Sequence, residues 1–251
     1  MQSDPRGGPK IGVLVPYTNV NLEPDLWGMC PAGCTLHSER MGGYDIDEIP
    51  DSEQMAGLGA SDLDETLRLI AGIRPAAILY GCTSATLTHG PAFDATLARD
   101  IAARAGGAVS ITAAGALVAA LEVLQATEVG FASPYLGEIN DQAAAFLAER
   151  GVRTMQRADI GRALGNYGQG ELTPREVFDL ALKADGPQVQ ALVLSCTDMR
   201  SVEVVTQLEA ATGKPVVTSN QAMIFALCAA LGLPRPQGAP GQLFDHLGTR
   251  A

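Results

Sequence analysis

Two cysteines stand in matching surroundings. Ala77-Ile-Leu-Tyr-Gly-Cys-Thr83 and Ala191-Leu-Val-Leu-Ser-Cys-Thr197 share one pattern at an offset of 114 residues, an apolar run closed by a small residue and Cys-Thr. The runs read as buried strands, so Cys82 and Cys196 each fall just past a strand end, ahead of an expected helix. A thiol placed there faces backbone N–H groups and the positive end of a helix dipole, which favour the thiolate. Two such thiols facing each other across a cleft could address one substrate from opposite sides. Taken singly, either would pass for a small buried hydrophobe closing a strand. The recurrence of the whole context favours chemistry.

The other three cysteines carry weaker signals. Cys30 and Cys34 form a Cys-x3-Cys pair with His37 nearby, but no second Cys/His pair follows at zinc-ligand spacing, so loop cysteines are the simpler reading and no metal is expected. Cys228 lies inside the apolar run from Ala222 to Leu231 and reads as core. The odd total of five argues against a disulfide framework. The three histidines, His37, His89 and His246, sit in no hydrolase or metalloprotease motif. There is no Gly-x-Gly-x-x-Gly opening a helix and no Walker loop, so no nucleotide or organic cofactor is expected.

The elements that would position the two thiols alternate along the chain. Strands are expected over Ile11–Val15, Ala76–Tyr80, Val109–Thr112 and from Val129 to Ala132. Helices are expected from Leu63 to Ile73, from Ala92 to Ala105, and on to Leu124. Such alternation implies βαβ units and parallel sheets. The second half then repeats the first. Ile11-Gly-Val-Leu-Val-Pro-Tyr17 matches Val129-Gly-Phe-Ala-Ser-Pro-Tyr135 at an offset of 118, and Gly107-Ala-Val-Ser-Ile-Thr112 matches Lys214-Pro-Val-Val-Thr-Ser219 at 107. A period this long means two related lobes, not a solenoid. The expected fold is α/β: two pseudo-symmetric doubly wound lobes with parallel sheets and an active site in the inter-lobe cleft. Residues 1–118 with 219–251 would form the first lobe, the C-terminal segment returning to it, and 119–218 the second.

Composition narrows the partners. With 17 Lys and Arg against 28 Asp and Glu, the net charge of −11 repels phosphate backbones and anionic lipid, which argues against nucleic-acid binding. A chain 47% hydrophobic and 18% charged has apolar mass for a proper core. No run of about 18 apolar residues suggests a membrane span, and the polar start lacks a signal-peptide core, so a cytoplasmic protein is expected. Association into a homo-oligomer is left open.

The motifs Pro16-Tyr-Thr-Asn-Val20, Gly81-Cys-Thr83, Ser133-Pro-Tyr135 and Ser195-Cys-Thr197 together resemble the aspartate/glutamate racemase superfamily. Within it the chain is most similar to the maleate cis–trans isomerase and arylmalonate decarboxylase branch, from about Ile11 to Leu243. The resemblance implies two pseudo-symmetric lobes, a cleft site and no metal or organic cofactor. It makes Cys82 and Cys196 the catalytic pair: in the racemases such cysteines move protons on opposite faces of a carbon, whereas in the isomerases the first adds to the double bond and the second handles the proton. It also assigns substrate binding to Asn19, Tyr135 and Asn166, and, by likeness to the decarboxylases, to the hydroxyls of Thr83 and Ser84. Two departures stand out. Thr83 and Ser84 occupy places that are apolar in the isomerases, and Asp198 follows the second cysteine where isomerases carry apolar or amide residues.

A carbanion-like or enediolate-like intermediate must be stabilised by preorganised donors, here Thr83, Ser84, Tyr135, Thr197, Asn19 and Asn166. Neutral donors can hold an anionic substrate despite the acidic net charge, so a small carboxylate or dicarboxylate is the expected partner. Each has a plainer reading: Asn19 as a turn former, Tyr135 as packing, Ser84 as a helix cap. Asp198 could meet a substrate ammonium, or it could pair with Arg200 or Arg162 or cap a helix. The glycine-rich stretch Gly161–Gly170 could close over the cleft or be an ordinary surface connection, and the acidic stretch from Met41 to Gln54 reads as an edge loop. The leading expectation is a cofactor-independent isomerase or racemase. Arylmalonate-type decarboxylation and non-catalytic carboxylate binding are the alternatives.

Overall fold

The computed structural model describes residues 7–42 and 63–248, so the expected edge loop lies outside the described residues from position 43 onward. Within them, eight strands form two four-stranded parallel sheets of identical order. The first contains β1 (Lys10–Pro16), β2 (Thr35–Met41), β3 (Ala77–Tyr80) and β4 (Val109–Thr112), ordered β2-β1-β3-β4. The second contains β5 (Glu128–Ala132), β6 (Arg153–Ala158), β7 (Ala191–Leu194) and β8 (Val216–Thr218), ordered β6-β5-β7-β8. The α/β architecture and its internal symmetry thus follow the sequence repeat.

Central strands are short and wholly apolar because both faces are covered. β3 and β7 are buried at every residue, as parallel strands between helical layers must be. The edge strands β2 and β6 carry charge and have no strand signal in the sequence. Thr-Leu-His-Ser-Glu-Arg-Met buries Leu36 and Met41 and leaves polar residues between, while Arg-Thr-Met-Gln-Arg-Ala buries only Ala158.

The helices are α1 (Leu22–Gly28), α2 (Asp64–Ala71), α3 (Thr83–Leu87), α4 (Pro91–Arg104), α5 (Ala113–Val123), α6 (Gly137–Glu149), α7 (Gly168–Glu171), α8 (Pro174–Lys183), α9 (Val205–Thr212) and α10 (Ser219–Leu231). Short helical turns at Val202–Val204 and Gln242–His246 complete the set among the described residues. α5 and α10 start at equivalent places, capped by Thr112, whose hydroxyl accepts from Gly115 N, and by Thr218, which accepts from Gln221 N. The caps therefore set Thr112 against Thr218, one residue away from the sequence match with Ser219. α5 and α10 pack on each other, and α10 also packs on α1 and β4. The largest apolar cluster runs from Val13 and Leu79 through these two helices to Phe131 and Val193, so one core links the two sheets.

Candidate active site

The strand order decides where the site lies. In each sheet the chain passes from the first strand to one side and then returns to pair on the other. This makes a topological switch point between β1 and β3, and another between β5 and β7. Loops leaving the carboxyl ends of such neighbours diverge and leave a crevice, the usual ligand position in doubly wound sheets. Asn19 and Cys82 follow β1 and β3, and Tyr135 and Cys196 follow β5 and β7. Gly81 N donates to Leu14 O and Ser195 N to Ala132 O, both at 2.9 Å, so the two cysteine turns are held alike. Gly81 must lack a side chain: a Cβ there would stand 2.7 Å from the Leu14 carbonyl oxygen and closer still to Leu22.

A continuous polar chain joins the two thiols. Cys82 Sγ lies 3.8 Å from Ser84 Oγ, Ser84 donates to Tyr135 Oη at 3.3 Å, and Tyr135 Oη lies 3.4 Å from Cys196 Sγ. Cys82 and Cys196 are both buried, at 5% and 2% exposure, and so lie out of bulk water at rest. Burial pushes both thiols up. Cys82 is pulled partly back by the N–H groups of Ala85 and Ser84 and by the Ser84 hydroxyl. Cys196 rises to about 12, first through burial and then through the charge of Asp198. The resting site therefore holds protonated thiols, contrary to the expectation that helix dipoles alone would favour thiolates. Only Cys82 has a helix directly after it, as residue before α3; Cys196 leads into the loop from Thr197 to Ser201. Tyr135 also stays protonated, its phenol raised well above its usual value by burial and by the two sulfurs.

Tyr135 is placed by a local network. Its N–H donates to Ser133 Oγ at 3.1 Å, Ser133 donates to Asn140 Oδ1, and Asn140 Nδ2 donates to Tyr135 O at 2.6 Å. Asn140 escapes sequence reasoning, since nothing in its helical context distinguishes it from a solvated residue.

A second network crosses between the halves. Asn19 Oδ1 accepts from Asn21 N and Leu22 N, holding the start of α1, while Asn19 Nδ2 donates to Thr197 Oγ1 at 2.9 Å. Thr197 in turn donates to Gly81 O at 2.8 Å, which ties the second cysteine loop to the first. Thr83 donates to Ser219 Oγ at 2.8 Å, at the foot of α10. Asn19, Thr83 and Thr197 therefore have structural partners at the seam. Asp198 Oδ1 accepts from Val20 N at 2.9 Å and Asn21 N at 3.1 Å, and Asn21 Nδ2 reaches both Asp198 O and Gly170 O. The expected ion pairs of Asp198 do not form: Arg200 pairs with Glu203 and Arg162 with Glu176. Nor is Asp198 a helix N-cap: it accepts two backbone N–H groups just ahead of α1 instead. Asn21, two residues beyond Asn19, carries no sequence signal of its part in this seam.

Asn166 is buried in the turn before α7, which orders part of the glycine-rich stretch beside this seam. Gly170 is required there, because a Cβ would stand 2.9 Å from Asp198 Oδ2. Cys30, Cys34 and Cys228 belong to the core that links the two sheets or to its margin, a different cluster from those holding Cys82 and Cys196, with thiols raised by burial. His37 meets Thr35 Oγ1. Among the described residues no group of His, Cys, Asp or Glu is arranged to hold a metal, and no helix is long and apolar enough to cross a membrane.

This geometry has relatives. A family model described as arylmalonate decarboxylase matches residues 60–244. The chain belongs to the arylmalonate decarboxylase family. Within that family the resemblances run to both activities. The maleate isomerase of Nocardia farcinica is 29% identical over 248 residues, covering 93% of this chain and 94% of the relative. The arylmalonate decarboxylase of Bordetella bronchiseptica is 28% identical over 242 residues, covering 95% and 94%. A crystal structure of the Nocardia maleate cis-trans isomerase, a cysteine-to-serine mutant with a covalently bound succinylcysteine intermediate, superposes with a TM-score of 0.83 at 28% identity, covering 94% of this chain and 98% of that one. The chain thus falls in the maleate isomerase and arylmalonate decarboxylase branch, with the cysteine-based isomerases among its relatives.

Proposed function

We propose that this protein is a cofactor-independent isomerase of a small unsaturated dicarboxylate of the maleate type. The observation that carries the reading is the Cys82–Ser84–Tyr135–Cys196 chain, which brings two thiols to one crevice. The succinylcysteine of the solved relative is the adduct expected when a thiolate adds to a cis-butenedioate and the neighbouring carbon is protonated. Here the Cys82 thiol gives up its proton to solvent as the substrate enters and, as thiolate, forms the C–S bond while the double bond opens toward an enediolate. Cys196 delivers its proton to the adjacent carbon, and the new single bond rotates. The Cys196 thiolate then takes that proton back, the C–S bond breaks, and the trans alkene leaves with both cysteines restored. Tyr135 and Ser84 face the charge that develops, and the amides of Asn19 and Asn166 are offered to a carboxylate.

Decarboxylation of a malonate-type acid is the second reading. The Ser84 hydroxyl, turned toward Tyr135 inside the crevice, favours it, since paired hydroxyl donors can stabilise the enediolate left by departing carbon dioxide. Proton NMR in heavy water separates the two, with maleate, aspartate, glutamate and an arylmalonate as probes. Conversion of maleate to its trans isomer is expected. Carbon dioxide release from the arylmalonate without maleate turnover would replace the proposal by the second reading, and α-deuteration of the amino acids alone would replace it by racemisation.

One consequence concerns Tyr135. Phe in its place removes the oxygen that links Ser84 to Cys196 while keeping the ring. Turnover of the active acid should fall by about 10²-fold, the usual loss for one preorganised donor. The melting temperature should move little, and steady-state kinetics with thermal unfolding of Tyr135→Phe reads both.

A further inference from the structure

The two thiols are chemically unequal although the fold that presents them is symmetric. Cys82 meets the N–H groups of Ser84 and Ala85 and the Ser84 hydroxyl. Cys196 also accepts an N–H, that of Asp198 at 3.4 Å, but the residue giving it carries a buried carboxylate. That carboxylate cannot swing away. Val20 N and Asn21 N fix its Oδ1, and Asn21 Nδ2 adds a longer contact at 3.3 Å. The counterpart of Asp198 in the first lobe is Ser84, two residues beyond Cys82, a neutral hydroxyl.

We propose that the fixed Asp198 carboxylate decides which cysteine is the acid, by keeping Cys196 protonated and leaving the thiolate to Cys82. Asp198 is thus a positioning residue with two linked duties: it holds the Asn19–Asn21 turn across the crevice and sets the polarity of the thiol pair. The inference rests on the two-thiol reading of the site, and its test needs no substrate. Like charges in a desolvated place repel strongly, so a second anion on Cys196 is disfavoured as long as Asp198 is ionised. The ionisable groups facing this pair are few and named: Arg40 and Asp25 act on Asp198, and Tyr135 and Cys82 on Cys196. Arg40 bonds Pro16 O and Asn19 O and pairs with Glu23, so its positive charge is shared with that carboxylate.

The test is site-resolved alkylation of the full-length protein by iodoacetamide from neutral to strongly alkaline pH, with Cys82 and Cys196 peptides read separately by mass spectrometry. Asp198→Asn keeps an acceptor for Val20 and Asn21 and removes the charge. The half-reaction pH of Cys196 should drop by about one unit or more, while that of Cys82 stays in place. Asp25→Asn, which leaves the Asp198 charge in place, should leave Cys196 unmoved. Asp198→Ala should lower the Cys196 midpoint as well and also speed amide exchange at Val20 and Asn21. If burial blocks the reagent, thiolate ultraviolet absorbance, taken as the difference between proteins with and without Cys196→Ala, reads the same midpoint. An unchanged midpoint in Asp198→Asn overturns the inference, as does an equal shift of both cysteines, which would mean general loosening. Failure of the isomerase reading would instead show as maleate left intact by wild-type protein with the thiol midpoints behaving as stated.

Discussion

Cys196→Ser is expected to halt turnover on a covalent adduct, and Cys82→Ala to halt it before any bond forms. Both variants should lose roughly 10³-fold or more of kcat, because residues acting as one unit are each indispensable. What distinguishes them is the state in which each stops. With Cys196 gone as proton carrier, Cys82 can still add to maleate, and intact-protein mass spectrometry should find a substrate-sized increment that maps to the Cys82 peptide. With Cys82 gone, no increment should appear at Cys196, whose thiol sits near 12 and is a poor nucleophile at neutral pH. The adduct on Cys196 instead, or retention of ordinary rates by either variant, would sink the assignment of roles. Ala and Ser differ little in volume from Cys, so each substitution should cost little stability even at these buried sites, and a cooperative thermal transition in both variants would tie the loss to chemistry.

The parts of this site that are legible in the sequence are those built on buried central strands. β3 and β7 are continuous apolar runs, their ends are marked by Gly81 and Ser195, and the repeat makes each vouch for the other. The edge strands escape for a physical reason. β2 and β6 bury one side chain or two, and a strand whose residues mostly face water has the composition of a loop. α1 escapes because Pro24 interrupts its pattern and its start is held by Asn19 and, across the crevice, by Asp198. No local pattern can encode a hydrogen-bond acceptor that arrives from 177 positions away. The same holds for Asp198: its charge is visible in the sequence and nearby arginines offer themselves as partners, yet the fold supplies two backbone N–H groups instead. Asn140 and Ser219 likewise act only through residues that the fold brings to them.

Raising the pH from about 4 to about 8 is expected to weaken the fold, against the usual trend for carboxylates. Asp25 lies largely buried on α1, where it accepts from Asn220 Nδ2 at 2.7 Å. Burial, with Glu203 and Asp198 nearby, lifts its carboxyl from 3.8 to about 7, against the pull of Asn220 and Arg200. Asp198 rises to about 6, also chiefly through burial. Between 3.8 and about 7 the folded chain thus holds protons that the unfolded chain has released. The stabilisation linked to that difference is complete below the unfolded value and disappears as pH climbs through the folded one. A tenfold change in proton affinity is worth about 1.4 kcal/mol, so Asp25 alone contributes on the order of 4 kcal/mol across the window. Asp25→Asn keeps an oxygen for Asn220 and removes the titration. Chemical denaturation should find it more stable than wild type at about pH 8 and close to wild type at about pH 4, with a flatter dependence between. Parallel curves for the two proteins would place the ionised Asp25 comfortably in the fold and remove it as the source. The catalytic consequence follows from position. The same two carboxylates flank Thr197 and the Asn19–Asn21 turn, Asp25 through the Asn220 amide that also donates to Thr197 O at 2.9 Å. Their ionisation therefore loads the seam that carries Cys196, and the chain accepts that loss of stability in exchange for a charge beside its second thiol.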